Sequence, residues 1–190
     1  MVQPTLNTEV YDAIHPSNFA SQFKNKLVVV TGAGRGIGRH ISLAFAKAGA
    51  TLALLDFDTE RQKETKSLCE AEGAKVHTFA CDVTKYEQCV GVVEEIKKLG
   101  EIDVLVNNAG GGPIRGFTSQ KFEEFWAGIE QNFKGAMIMI HLVLPGMKKR
   151  KKGCIINIAS RLSSLECRLI AGREPLLGHC LYIIILGRQR

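Results

Sequence analysis

Between residues 27 and 158, short apolar runs alternate with longer stretches of helical spacing. Leu27-Val28-Val29-Val30 is continuous and β-branched, the pattern of a strand covered on both faces. Ile37 to Ala48 carries apolar residues at helical intervals and stops at Gly49. Thr51 to Leu55 is the second apolar run, and Asp58 is placed to cap a charged helix that stops near Gly73. Lys75 to Ala80 reads as a third strand. Thr84 to Leu99 reads as a third helix, with Thr84 as its cap and Gly100 as its stop, and Ile102 to Val106 as a fourth strand. Phe122 to Met147 reads as one or two helices, with Phe122, Phe125 and Trp126 on the packed face, and Cys154 to Ile158 as a fifth strand. Strands alternating with helices of this length predict right-handed βαβ crossovers. The fold class is therefore α/β, a doubly wound parallel sheet with helices on both faces. Residues 1–24 are polar, contain Pro4 and Pro16, and read as an extension lying on the surface or partly loose.

Composition narrows this picture without changing it. The chain has 190 residues, 45% apolar and 23% charged, which suits one soluble domain with short extensions. No apolar run approaches the ~20 residues of a membrane span. No basic start leads into an apolar core, so no secretory signal is read and a cytoplasmic location is expected. The net charge of +6 comes from two segments, the run Lys148-Lys149-Arg150-Lys151-Lys152 and the arginines of residues 161–190. The rest of the chain is slightly acidic, so neither a nucleic-acid surface nor a membrane surface is expected. The lysine-rich run reads as a solvated loop at a helix end, where cations suit the dipole. Cys69, Cys81, Cys89, Cys154, Cys167 and Cys180 show no Cys-x-x-Cys pairing and no histidine at ligand spacing. They are expected to be reduced and mostly buried, with no metal.

The loop between the first strand and first helix carries the candidate chemistry. Thr31-Gly32-Ala33-Gly34-Arg35-Gly36-Ile37-Gly38 lets the backbone turn tightly and come close to a pyrophosphate. The helix start that follows offers unpaired N–H groups and the positive end of a dipole. An acidic residue is then required at the end of the second strand to accept from a ribose hydroxyl, and Asp56 stands there. No Gly-Lys-Ser/Thr follows, which excludes a phosphate-binding P-loop.

The spacing Thr-Gly-x-x-x-Gly-x-Gly resembles the short-chain dehydrogenase/reductase family, and further marks fall in order. Asp82-Val83 follows the third strand, where the family contacts the adenine. Asn107-Asn108-Ala109-Gly110 matches the family's Asn-Asn-Ala-Gly element beside the cofactor. Asn132 lies where the family keeps an asparagine of its catalytic tetrad. Ile155-Ile156-Asn157-Ile158-Ala159-Ser160 resembles the strand that ends in the catalytic serine. The resemblance covers residues 25–160. It implies a Rossmann sheet of strand order 3-2-1-4-5 that binds NAD or NADP. It also implies hydride transfer between nicotinamide and a small alcohol or carbonyl substrate, in a homo-oligomer. Thr31, Gly32, Gly34, Arg35, Gly36, Ile37, Gly38, Asp56, Asp82, Val83, Asn108, Ala109 and Gly110 would seat the cofactor. Asp56 favours NAD, because a carboxylate repels the 2′-phosphate of NADP; Arg35 argues the other way. Ser160 would polarise the substrate oxygen, and Asn132 would hold a water of the proton relay.

The family also needs a Tyr-x-x-x-Lys pair on the helix after Ser160. Tyr11, Tyr86 and Tyr182 are followed four residues on by His15, Val90 and Leu186, and no lysine follows Lys152. Tyr182 is the one local candidate for the phenol. Residues 161–190 are therefore read as an atypical tail, from an altered reading frame, a retained intron or an alternative exon, and the fold as lacking the family's last strands. Two alternatives to an active oxidoreductase stand beside it: a catalytically dead dinucleotide-binding remnant, and an unstable product. An open apolar edge is expected along Cys154 to Ile158, with Leu181 to Leu186 as the segment able to cover it.

Overall fold

The computed structural model describes residues 16–111, 120–158 and 184–186. Six strands form one sheet in the order β3-β2-β1-β4-β5-β6. They are β1 (Leu27–Thr31), β2 (Thr51–Asp56), β3 (Val76–Ala80), β4 (Ile102–Asn107), β5 (Gly153–Asn157) and β6 (Ile184–Leu186). The first five are parallel, as the alternating pattern predicts. The helices are α1 (Gly36–Lys47), α2 (Thr59–Ala71), α3 (Tyr86–Leu99), α4 (Phe122–Ile129) and α5 (Gly135–Arg150).

Alternate residues of each strand feed opposite cores. Val29, Leu55, Leu105 and Ile155 pack with Val93 and Ile96 of α3 and with Met139, Val143 and Met147 of α5. Val28, Val30, Leu52, Leu54 and Val106 face Ala46 of α1 and Cys69 of α2. Phe23 meets Phe45 edge to face at 5.0 Å, which ties the N-terminal segment to α1. Strand ends cluster at the C-terminal side of the sheet, where an open doubly wound sheet places its ligand crevice. Asp58 caps α2 as expected, its carboxylate accepting from the Glu60 and Arg61 amides.

Four expectations need correction. Helix α3 starts at Tyr86 with Lys85 as its cap residue, not Thr84. The Thr84 hydroxyl instead donates to Asp82 Oδ1 at 2.8 Å, closing a turn two residues earlier. Phe122 and Trp126 are 64% and 52% exposed, and α4 buries no residue. The two rings stack on each other at 6.2 Å rather than facing a core. The lysine-rich run is a loop only in part: α5 continues through Arg150, which pairs with Glu101 and donates to the Ile102 carbonyl at 2.7 Å, so Lys148, Lys149 and Arg150 are its last turn and Lys151 and Lys152 lie beyond it. Finally, the edge of β5 is paired. Residues Ile184–Leu186 run antiparallel to Gly153–Ile155, which satisfies the backbone groups that would otherwise template aggregation.

Candidate functional site

A cleft of about 1480 Å³ opens across the C-terminal ends of the strands. Thr31, the last residue of β1, ties together the segments that line it. The buried Thr31 hydroxyl accepts from the Asn108 and Ala109 amides, both at 3.0 Å, and donates to the Val106 carbonyl at 3.4 Å. Asn108 returns the link: its Nδ2 donates to the Thr31 and Gly32 carbonyls, each at 3.0 Å. The glycine loop and the Asn107–Gly110 segment are thereby held as one unit.

The loop must be glycine at two places for different reasons. A Cβ at Gly38 would stand 2.5 Å from Asn108 Nδ2 and closer still to the Gly32 carbonyl oxygen. Gly36 has φ +54°, and a Cβ there would meet no atom within 4 Å because it would project into open space along the cleft. Helix α1 begins at Gly36 with no side chain capping its first amides. Among the described residues no side chain takes those N–H groups, which suits an anion there. A glycine-rich backbone curve, open space at Gly36 and helix-start amides without a side-chain cap make a cradle that fits a pyrophosphate. Gly34 and Ile37 belong to this loop; Ile37 is exposed at the cleft, and Gly34 lies against Asp56.

Asp56 ends β2 at the cleft wall and is 7% exposed. Its Oδ2 accepts from the Gly34 amide at 2.8 Å and its Oδ1 from the Asp58 amide at 3.1 Å. These bonds fix the carboxylate's position beside the glycine loop. Arg35 is exposed on the rim, and its guanidinium has no hydrogen-bond or ion-pair partner among the described residues. Arg61, which pairs with Asp58 at 2.8 Å, also lines the wall beside Asp56. Sequence reasoning missed Arg61, because only the fold brings the first turn of α2 over Gly34.

Asp82 and Val83 line the same wall after β3. The Asp82 carboxylate accepts from the Thr84 amide and hydroxyl, so it shapes the turn. Val83 is buried against Gly135, where a Cβ on the glycine would come 2.6 Å from Val83 Cγ2. Cys81, just before them, also lines the cleft and lies 3.8 Å from Cys89. Gln62 is a further missed residue: its buried Nε2 donates to the Phe79 carbonyl at 2.8 Å and steadies the β3 end.

Asn132 lies opposite, on a π-helical turn, Glu130–Lys134, between α4 and α5. It bonds Gly111 in both directions: the Gly111 amide donates to Oδ1 at 2.9 Å, and Nδ2 donates to the Gly111 carbonyl at 2.8 Å. Nδ2 also donates to the Gly128 carbonyl at 2.8 Å. Asn132 thus positions the backbone just after Gly110. The sequence shows the asparagine but not the extra-wide turn that carries it.

Between these walls, Asn107 Nδ2 donates to Asn157 Oδ1 at 2.8 Å, joining the ends of β4 and β5. The buried Oδ1 of Asn107 lines the cleft with no partner among the described residues. Ser160 and Tyr182 lie outside the described residues. Among the described residues no group of side chains can hold a metal ion, and no helix is long and apolar enough to cross a membrane.

The profile of the family described as "short chain dehydrogenase" matches residues 26–170. Epidermal retinol dehydrogenase 2 of Mus musculus is 36% identical over 137 residues, which are 71% of this chain and 44% of that protein. Among solved structures, NAD+-bound xylitol dehydrogenase superposes with a TM-score of 0.74 at 31% identity, covering 76% of this chain and 56% of that one. A metagenomic short-chain oxidoreductase in complex with NADP gives a TM-score of 0.71 at 32% identity, covering 74% and 64%. The chain spans about half the length of the curated relatives it matches. A match across most of the sequence, on a sheet of the same strand order, means that the chain belongs to the short chain dehydrogenase family.

Proposed function

We propose that this chain binds a nicotinamide dinucleotide in the cleft and belongs to an NAD(P)-dependent oxidoreductase acting on a small alcohol or carbonyl compound. The pyrophosphate lies on the amides at the start of α1, against Gly34, Gly36 and Gly38. Asp56 accepts from the adenosine ribose, and Asp82 and Val83 flank the adenine. Asn108, Ala109 and Gly110 back the nicotinamide half. When bound, the dinucleotide supplies or accepts a hydride. Ser160 is assigned to the substrate oxygen, and Asn132 to a water on the path by which that oxygen gains or loses its proton.

One observation carries this reading: Asp56 is pinned by two backbone amides beside a glycine loop whose cradle is open to the cleft. The same carboxylate supports a preference for NAD, since a 2′-phosphate would lie against its charge. Arg35 and Arg61 are the opposing cations. Calorimetry with NADH and NADPH tests this preference. NADH should bind more tightly, and Asp56→Ala should narrow the gap; NADPH bound more tightly by the unaltered chain would overturn the assignment.

A second reading, dinucleotide binding without turnover, rests on the lack of any Tyr-x-x-x-Lys pair in these 190 residues. A positioned general acid or base contributes ~10²–10⁴ in rate, so the purified chain should turn over family substrates at least ~10²-fold slowly. Ordinary turnover abolished by Tyr182→Phe would reject that reading. The exposed Phe122, Trp126, Phe133 and Met137 support assembly with a second subunit. The free thiols of Cys69, Cys81 and Cys89 support a reducing compartment such as the cytoplasm.

A further inference from the structure

Cys81 and Cys89 are separated by a turn and meet behind the cleft wall. Cys81 follows β3 directly, and its amide donates to the Asp56 carbonyl at 3.0 Å. Cys89 lies on the first turn of α3 and is fully buried. Their sulfurs are 3.8 Å apart, already in van der Waals contact. The Cys89 Sγ also points at the Val83 carbonyl at 3.5 Å. A disulfide needs ~2.05 Å between sulfurs, so closure requires a movement of under ~2 Å. Cys81 reaches the cleft surface, beside Asp82 and Val83, whereas Cys69 and Cys154 do not line it.

We propose that Cys81 and Cys89 form a reversible disulfide under hydrogen peroxide, and that this bond weakens dinucleotide binding in the cleft. The step balances: one thiolate of the pair attacks the peroxide oxygen, giving a sulfenic acid and releasing water. The partner sulfur displaces that hydroxyl, forming the S–S bond and a second water, and one peroxide is reduced as two thiols are oxidised. The hydrogen bond shared with Cys81 holds the Cys89 thiol below its ordinary range, and Cys81 is the sulfur that reaches the cleft. Cys69, in contrast, is pushed up to about 11 by burial and by Glu72 and Glu70, so it stays protonated. Closing the pair draws the Cys81–Val83 segment toward α3 and away from its place on the wall. Reciprocity follows: a bound dinucleotide must oppose disulfide formation by the same factor that the disulfide weakens binding. This last consequence rests on the dinucleotide reading above; the disulfide itself does not.

Lys75, Lys85 and Lys97 make the test direct, because trypsin cuts between the two cysteines. The full chain is treated with a few equivalents of hydrogen peroxide, quenched with a thiol-blocking reagent, and digested without reduction. Peptides 76–85 and 86–97 should appear joined, the Cys69 peptide should remain blocked as a free thiol, and dithiothreitol should separate the pair. Saturating NAD+ should slow the joining. The oxidised chain should bind NADH at least tenfold more weakly, and reduction should restore binding. Cys89→Ala should abolish both effects of peroxide, while Cys69→Ala should abolish neither. Oxidation of Cys69 or Cys154 before the pair, or a joined pair with unaltered NADH affinity, would overturn the proposal. If the reduced chain binds no NADH yet the peptides join, the dinucleotide reading fails and the disulfide site stands.

Discussion

Gly38→Ala measures how tightly the glycine loop is wound beneath α1. The new Cβ would stand 2.5 Å from Asn108 Nδ2 and nearer still to the Gly32 carbonyl oxygen. Neither can step aside freely. Asn108 Nδ2 donates to the Thr31 and Gly32 carbonyls, and the following amides are anchored on the Thr31 hydroxyl. Relief requires α1 to lift from β1 or Asn108 to give up both bonds. Overpacking a rigid site costs ~1–3 kcal/mol, and each lost hydrogen bond ~1 kcal/mol. Replacing glycine in a helix returns up to ~1 kcal/mol. The expected net loss is about 3 kcal/mol, large against a domain total of ~5–15 kcal/mol. In a chain of this size it lowers the melting temperature by roughly 6–12 °C. Gly91→Ala is the matched control: it lies exposed in α3 with nothing within 4 Å of the new methyl. It should stabilise by ~0.5–1 kcal/mol. Urea denaturation followed by circular dichroism reads both. A Gly38→Ala loss under ~1 kcal/mol, or a Gly91→Ala change of the same sign, would refute the reasoning.

Thr31→Val keeps the shape but strands the Asn108 and Ala109 amides, each worth ~1–3 kcal/mol when left unpaired. The same denaturation should show a loss of ~2–4 kcal/mol, and a neutral result would remove Thr31 from its place as anchor. His77, on β3, has a buried Nε2 without a partner among the described residues, and burial, with Lys75 and then Lys66, holds its pKa below the usual histidine range. Its neutral form is the folded one, so the folding stability it supports is complete above about pH 6.5 and declines as pH falls through the lower folded value. His77→Gln should flatten that decline in stability-against-pH curves, and an unchanged slope would reject it.

Local patterning made β1, β2 and β4 legible, because strands buried on both faces are nearly continuous apolar runs. The glycine loop and Asp56 were legible because a pyrophosphate constrains backbone and spacing together. The rest depends on partners distant in sequence. Nothing near Thr84 announces that Asp82 takes its hydroxyl. Phe122 and Trp126 have core-like spacing, yet no element lies over α4 among the described residues. Leu181 to Leu186 was legible as a cover for the β5 edge, but not the antiparallel register of Ile184–Leu186 on Gly153–Ile155, about thirty residues away. The Asn107–Asn157 bond and the Cys81–Cys89 contact likewise appear only when parallel strand ends and a helix start are brought side by side.

Dinucleotide binding by the folded chain is the claim on which the rest depends, and the single tryptophan offers a direct reading of it. Trp126 adjoins Ala127, which lines the cleft, so bound NADH should accept its excitation energy. Titration of the purified chain with NADH should quench tryptophan emission and raise nicotinamide emission along one saturable curve, at one site per chain. Excess NAD+ should reverse both signals. A chain that melts cooperatively yet shows no saturable transfer, or transfer that NAD+ fails to displace, would contradict the account.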